Sequence, residues 1–324
     1  MKHILALVPG GISDQLLFFP TLENLKRAYP DAEIDPVVEP RAQSAYRVCP
    51  LSHNKSLQTI RFDFVDRNGL ADWSNLLGIV RDREYDAILS IDRTFLAGFM
   101  LWLTGVSTRI GYSGTAADLF FTSAVPLKTE QYTAQMYGDL LQGLGVSAVC
   151  SSPRAALLKE DLNWAQAEQK RLELGESGYI LIHGNCSQRS KFQGVDKSYP
   201  PEKWLPIIGQ LQQQQPDLPT VVVCGPEDVG FVNQLADMTR EFRVTTPGDI
   251  GKLAAMIAGA NLILCTDSAP LQLAVAVETP TIALFGPTDP EKRLPKSDKI
   301  SIVQSPTGNM ADIDPETVLK QLFG

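Results

Sequence analysis

Short apolar runs rich in β-branched residues alternate with amphipathic stretches along the whole chain. In the first half, Ile4–Val8, Ile34–Val38, Ala87–Ile91 and Thr59–Phe62 read as strands, and Gln15–Ala28 and Leu70–Arg83 as helices. Leu16, Phe19, Leu22 and Leu25 recur every three residues along one face of the first helix. In the second half, Tyr179–Ile182, Thr220–Val223, Phe242–Thr245, Leu262–Cys265 and Thr281–Phe285 read as strands. Glu202–Gln214, Gly230–Thr239, Ile250–Gly259, Pro270–Ala276 and a final Pro315–Leu322 carry helical periodicity. Strand–helix alternation with short connections predicts an α/β fold of doubly wound parallel sheets. The pattern resets near Ser151-Ser152-Pro153, which predicts two domains, 1–155 and 156–324, facing a cleft. The last helix is allowed to pack back on the first domain. Ligands of open parallel sheets bind at the carboxyl ends of the strands, so the loops there hold the candidate chemistry.

The run Leu262–Thr266 stops at Asp267-Ser268, and Pro270 fits the first turn of a following helix. Free N–H groups at such a helix start favour an anion, so this unit suits a phosphate or diphosphate. The loop Pro9-Gly10-Gly11-Ile12-Ser13-Asp14 lacks both the dinucleotide glycine spacing and the Walker pattern. It leaves a carboxylate, Asp14, at a helix start, where helix capping explains it as well as chemistry does. The connection His183–Pro200 is long and carries Arg189, Lys191 and Lys197. Long connections inside compact domains tend to be functional, and Arg189 and Lys197 can neutralise a diphosphate; a solvated basic loop is the plain alternative. His183 either caps its strand or takes part in chemistry. Glu227, in Cys224-Gly225-Pro226-Glu227-Asp228, stands where doubly wound folds grip a ribose hydroxyl, or serves as a cap. Thr246-Pro247-Gly248-Asp249 is a turn able to pass beneath a purine ring.

Composition narrows the partners. The chain has 324 residues and a formal net charge of -8, against sequence-independent nucleic-acid binding. Five cysteines without CxxC spacing and three histidines without ligand spacing imply free thiols and no metal site. The apolar run Ile4–Val8 is too short for a signal-peptide core, and no run reaches membrane-span length. A cytoplasmic protein is expected, with room for peripheral contact with the membrane surface.

The late unit Asp267-Ser268-Ala269-Pro270-Leu271-Gln272 with Phe285-Gly286-Pro287-Thr288-Asp289-Pro290 resembles the ADP-heptose–lipopolysaccharide heptosyltransferases of glycosyltransferase family nine. Gly11-Ile12-Ser13-Asp14 with Phe19-Pro20-Thr21-Leu22, Arg109-Ile110-Gly111, Lys197-Ser198-Tyr199-Pro200 with Trp204, and Cys224-Gly225-Pro226-Glu227 extend the resemblance along nearly the whole chain. It implies a GT-B fold, the acceptor held by the first domain and the nucleotide sugar by the second. It implies inverting, metal-independent transfer to a lipopolysaccharide-core or other glycan acceptor, without a cofactor. Asp14 is then the general base, and Arg189, Lys197, Asp267, Ser268 and Ala269 serve the diphosphate. Glu227 serves the ribose and Gly248 the adenine. Gly11, Ser13, His183 and Gln272 are further contact candidates.

The chain departs from the family pattern at Ala269, where glycine is usual, and at Gln272, where histidine is usual. Glutamine hydrogen-bonds but cannot become cationic. Two rival functions follow: a nucleotide-sugar epimerase on the same scaffold, and a nucleotide-sugar-binding protein that does not transfer. The acceptor-reading segments are expected in the loops of 39–56 and 92–115.

Overall fold

The computed structural model describes residues 1–52, 57–149, 151–192 and 194–324, apart from the side chain of Arg189. Its contacts divide the chain into two units, Met1–Arg154 and Ala155–Gly324. The first unit runs β1 (His3–Val8), α1 (Ile12–Ala28), β2 (Glu33–Val38), β3 (Ile60–Arg61), α2 (Leu70–Asp82), β4 (Ala87–Ser90), α3 (Phe95–Leu103), β5 (Thr108–Ser113), β6 (Ser123–Pro126) and α4 (Thr133–Asp139). The second runs α5 (Lys159–Arg171), β7 (Ile180–His183), α6 (Gln188–Phe192), α7 (Pro201–Gln214), β8 (Thr220–Val223), α8 (Val229–Met238), β9 (Arg243–Thr245), α9 (Ile250–Ala258), β10 (Leu262–Thr266), α10 (Ala269–Ala276), β11 (Thr281–Phe285), α11 (Pro290–Arg293), β12 (Ile300–Gln304) and α12 (Pro315–Phe323).

Each unit holds one six-stranded parallel sheet, ordered β3-β2-β1-β4-β5-β6 in the first and β12-β11-β10-β7-β8-β9 in the second. Counted from the first strand of each unit, both orders are 3-2-1-4-5-6, the doubly wound dinucleotide-fold order. The order reverses between β1 and β4 and again between β7 and β10. Those switch points are where a doubly wound sheet opens a ligand crevice at its carboxyl edge. The β1–α1 loop therefore sits at one switch point, and the β7 and β10 loops at the other.

The central strands are buried on both faces: β1, β4, β7, β8 and β11 contain no exposed residue. Such strands read as unbroken apolar runs, which is why the sequence reveals them. In the second unit, Trp204 and Tyr199 are fully buried beneath the sheet with ring centroids 5.3 Å apart at 85°. Tyr199 Oη donates to the Ile313 carbonyl at 3.1 Å. Gly184 lets the indole in, since a Cβ there would stand 2.4 Å from Trp204 Nε1. The last helix, α12, packs on α7 and β12, with Val318 buried in the core of the second unit.

Several elements differ from the sequence reading. The stretch 92–115 is not a loop; it contains α3 and β5. The sequence Phe95–Leu103 is apolar on every face, so it shows no helical period, although Thr94 Oγ1 caps it by accepting from the Ala97 N–H at 3.3 Å. The connection after β7 contains the five-residue α6. Residues 53–56 of the other acceptor segment lie outside the described residues. Cys49, Cys186 and Cys265 are buried free thiols, and Cys224 is a half-buried one.

Candidate functional site

In the first unit the loop after β1 is tight. Gly10 has φ of +121°, a region that favours glycine, and a Cβ there would meet Asp14 Oδ2 at 2.5 Å. Gly11 is the N-cap of α1, and Ser13 and Asp14 fall in its first turn. Asp14 is thus not the cap. Its Oδ2 reaches back to accept from the Gly11 N–H at 2.9 Å, the reciprocal half of a capping box. The carboxylate is half-buried at the switch point, held in one orientation by backbone.

The second unit gathers most of the candidates. His183 ends β7 in register with Cys265 of β10, which places the loop after β10 beside the loop after β7. Asp267 is 1 % exposed. Its Oδ2 accepts from Lys197 Nζ at 2.9 Å and from Thr288 Oγ1 at 2.9 Å, and its Oδ1 faces Arg293 Nε at 3.6 Å. Burial raises the pKa of this carboxyl, but Arg293, Lys197 and Thr288 outweigh it and hold Asp267 below the usual carboxylate range. An ionised carboxylate only accepts hydrogen bonds. Asp267 therefore fastens two cations at this edge of the sheet. The three formal charges sum to +1, and Lys197 and Arg293 are the partly exposed members, at 15 % and 20 %. The surplus faces outward.

Ser268 is the N-cap of α10, and Ala269 its first helical residue. The first-turn N–H groups of α10 thus stand beside the two cations. Gln272 is fully buried; its Nε2 donates to the Arg293 carbonyl at 3.0 Å, and its Oε1 has no hydrogen-bond partner among the described residues. Gln272 thus holds the backbone of Arg293.

Asn185 ties the loops together. It is 3 % exposed. Its Nδ2 donates to the Glu227 carbonyl and to Asp228 Oδ1, both at 2.9 Å. Its Oδ1 accepts from Lys191 Nζ and Ser198 Oγ, both at 3.0 Å. Asp228 also accepts from the Gly225 N–H at 2.9 Å and lies 3.4 Å from His183 Nε2. Burial raises its pKa, but the His183, Asn185 and Gly225 bonds prevail and bring it down to about 2. Glu227 is exposed next door, accepting from the Gln188 N–H at 3.0 Å. Gly248 lies farther along the same edge, in the loop before α9, where Asp249 Oδ1 caps the helix by accepting from the Gly251 and Lys252 N–H groups. The Arg189 side chain lies outside the described residues.

The structure thus adds Arg293, Thr288, Asn185 and Asp228 to the candidate residues read from sequence. Among the described residues no group of three or more His, Cys, Asp or Glu is placed to hold a metal.

The profile of glycosyltransferase family 9 (heptosyltransferase) matches residues 74–322. The chain belongs to glycosyltransferase family 9. It is thereby a glycosyltransferase of the heptosyltransferase family with a GT-B fold. Lipopolysaccharide heptosyltransferase 3 of Escherichia coli is 26% identical over 85% of this chain and 81% of its own length. The chloroplastic photosynthetic NDH subunit of subcomplex B 1 of Arabidopsis thaliana is 27% identical over 98% of this chain and 72% of its own. An E. coli heptosyltransferase solved with ADP-2-deoxy-2-fluoro heptose superposes with a TM-score of 0.74 and 17% identity, covering 99% of both chains. The family profile begins in α2, so the Asp14 loop stands outside it.

Proposed function

We propose that this protein is an inverting heptosyltransferase that moves the sugar of a nucleoside-diphosphate sugar, ADP-heptose first among them, onto a lipopolysaccharide-core or other glycan acceptor. The carrying observation is the buried Asp267 clamped by Lys197, Arg293 and Thr288 beside the first turn of α10. A diphosphate leaving group develops negative charge as the glycosidic bond breaks. Lys197, Arg293 and the α10 N–H groups meet that charge with fixed donors that need no reorganisation. This stabilisation is supplied by protein groups, so the proposed transfer requires no metal. Glu227 takes the ribose and Gly248 lies under the adenine. Ala269 lends its N–H to a phosphate oxygen, and Arg189 serves as a further cation. In the first unit, Asp14 is the general base for the acceptor hydroxyl, with Gly11 and Ser13 lining its loop. Proton removal by a positioned carboxylate contributes roughly 10²–10⁴-fold.

The acceptor is proposed to reach the enzyme from a membrane surface on the cytoplasmic side. No helix among the described residues is long and apolar enough to cross a membrane. Yet α3 contains no charged residue, and Phe95, Leu96 and Trp102 stand exposed on it beside exposed Leu119. Aromatic and aliphatic side chains in such an array suit the interfacial layer of a bilayer.

A second reading, a nucleotide-sugar-binding protein without transfer, is favoured by the burial of Gln272 and by the likeness to the Arabidopsis thaliana subunit. Calorimetric titration with nucleoside diphosphates and their sugars, followed by transfer assays with Asp14→Asn, separates the two. We expect tightest binding by the ADP series and loss of roughly 10²–10⁴-fold in turnover on Asp14→Asn with donor affinity kept. Near-normal transfer by Asp14→Asn would remove the general base, and donor binding with no transfer to any acceptor would favour the second reading.

A further inference from the structure

A buried histidine links three neighbouring strands of the second sheet. His183 ends β7, which lies between β8 and β10. Its Nε2 is 3.4 Å from Asp228 Oδ2, in the loop after β8, and its Nδ1 is 3.3 Å from Ser268 Oγ, the N-cap of α10. Ser268 Oγ is also 3.1 Å from the Thr266 carbonyl oxygen. His183 is 6 % exposed and Asp228 8 %. The transfer chemistry proposed above makes no use of this chain of contacts.

The proton inventory of the chain is constrained. Asp228 accepts from the Gly225 N–H and the Asn185 amide, which leaves its carboxylate the role of acceptor toward the imidazole too. Nε2 therefore carries a proton in either charge state of the ring, and Nδ1 is the variable atom. In the neutral ring Nδ1 accepts a hydrogen bond from the Ser268 hydroxyl. In the imidazolium Nδ1 is a donor and engages a lone pair of Ser268 Oγ. The hydroxyl proton is then released to the Thr266 carbonyl or to an anion at the first turn of α10. The charged groups bonded into this chain are Asp228 in the loop after β8, and Lys191 through Asn185 after β7. On the β10 side stands Asp267 with Lys197 and Arg293. Of these residue types only histidine ordinarily changes charge near neutral pH. The Cys224 thiol, raised by burial and by Asp228, stays protonated.

We propose that His183 is a positioning residue of the donor site: on binding of a sugar nucleotide it takes up one solvent proton at Nδ1 and thereby frees the Ser268 hydroxyl to donate to the diphosphate. This rests on the reading of the second unit as the donor site.

The probe is ADP-ribose, a diphosphate diester with no ionisation of its own near neutral pH. Titration calorimetry in two buffers of different ionisation enthalpy reads the protons taken up. Wild type is expected to take up protons on binding, at most one per ADP-ribose, with affinity rising severalfold as the pH falls from about 8 to about 6. In His183→Gln the amide can reproduce both bonds of the neutral ring, so the fold and part of the affinity remain while proton uptake and the pH dependence vanish. Ser268→Ala should lose the uptake and Ser268→Thr should keep it. Unchanged uptake in His183→Gln or in Ser268→Ala overturns the proposal, as does wild-type binding without uptake. If wild type binds no diphosphate nucleotide at all, it is the donor-site reading that fails.

Discussion

Replacing Lys197 by methionine tests whether the buried charge cluster holds the fold, the ligand, or both. Lys197 Nζ lies 2.9 Å from an Asp267 carboxylate that is 1 % exposed, and the lysine itself is 15 % exposed. Removing one partner of a buried pair leaves the other charged in a poor solvent, a loss of about 3–5 kcal/mol. Arg293 at 3.6 Å and the Thr288 hydroxyl remain to Asp267, so the lower end, about 3 kcal/mol, is expected. At about 2–4 °C per kcal/mol for a unit of this size, that is a fall of roughly 6–12 °C in melting temperature. On the proposed donor-site reading the same change also removes a charge-assisted contact to the diphosphate, about 1.5–3 kcal/mol, or roughly 10- to 150-fold in Kd. The double variant Lys197→Met with Asp267→Asn separates the two losses. Neutralising Asp267 removes the stranded charge, so most of the melting temperature should return while donor affinity stays weak. Thermal melts and calorimetric titrations of the four proteins complete the cycle. Additive effects on stability, with no recovery in the double variant, would refute the coupling of Lys197 to Asp267. Recovery of affinity together with stability would show that Lys197 acts on the ligand only through the fold.

Three further outcomes are expected. Gly10→Ala forces a side chain into φ of +121° and against Asp14, at a cost of about 1–3 kcal/mol; turnover should drop with donor affinity unchanged, and normal turnover would mean that the Asp14 position is immaterial. Asp228 has its pKa lowered from 3.8 to about 2, so the stability it contributes is complete above about pH 4 and is lost as pH falls toward 2. Denaturant midpoints of Asp228→Asn should accordingly change less over that window than those of wild type, and parallel curves would contradict the assignment. Phe95→Ser combined with Trp102→Ser should weaken sedimentation with phospholipid vesicles roughly tenfold or more, on the transfer energies of two large apolar side chains, while sparing transfer to a soluble acceptor; equal sedimentation would remove α3 as the membrane face.

The parts of the fold legible from sequence are those where one physical term dominates. Strands β1, β4, β7, β8 and β11 are sealed on both faces, and burial writes them as apolar runs. The strand Thr108–Ser113 mixes Arg109 and Gly111 into its run, and Ile300–Gln304 lies at the sheet edge with Ile302 exposed, so neither shows such a run. The helix Lys159–Arg171 shows no apolar stripe in the sequence, because it buries only Asp161, Ala165 and Glu168, two of them charged. At the site, Lys197, Asp267 and Glu227 stand in loops with an evident chemical pattern. Arg293 and Asn185 do not, because their meaning depends on which strands are neighbours. Only the order β10-β7-β8 brings Asn185, Asp228 and Ser268 around one histidine.

Both sheets have the same strand order, and each closes its hydrogen bonds within its own unit. The fold thus repeats one topology twice along a single chain, with the division at Arg154–Ala155. On the proposed assignment of donor and acceptor, joining residues 155–324 to the first half of a relative should carry the nucleotide preference with the transplanted half, and leave recognition of the glycan to the host.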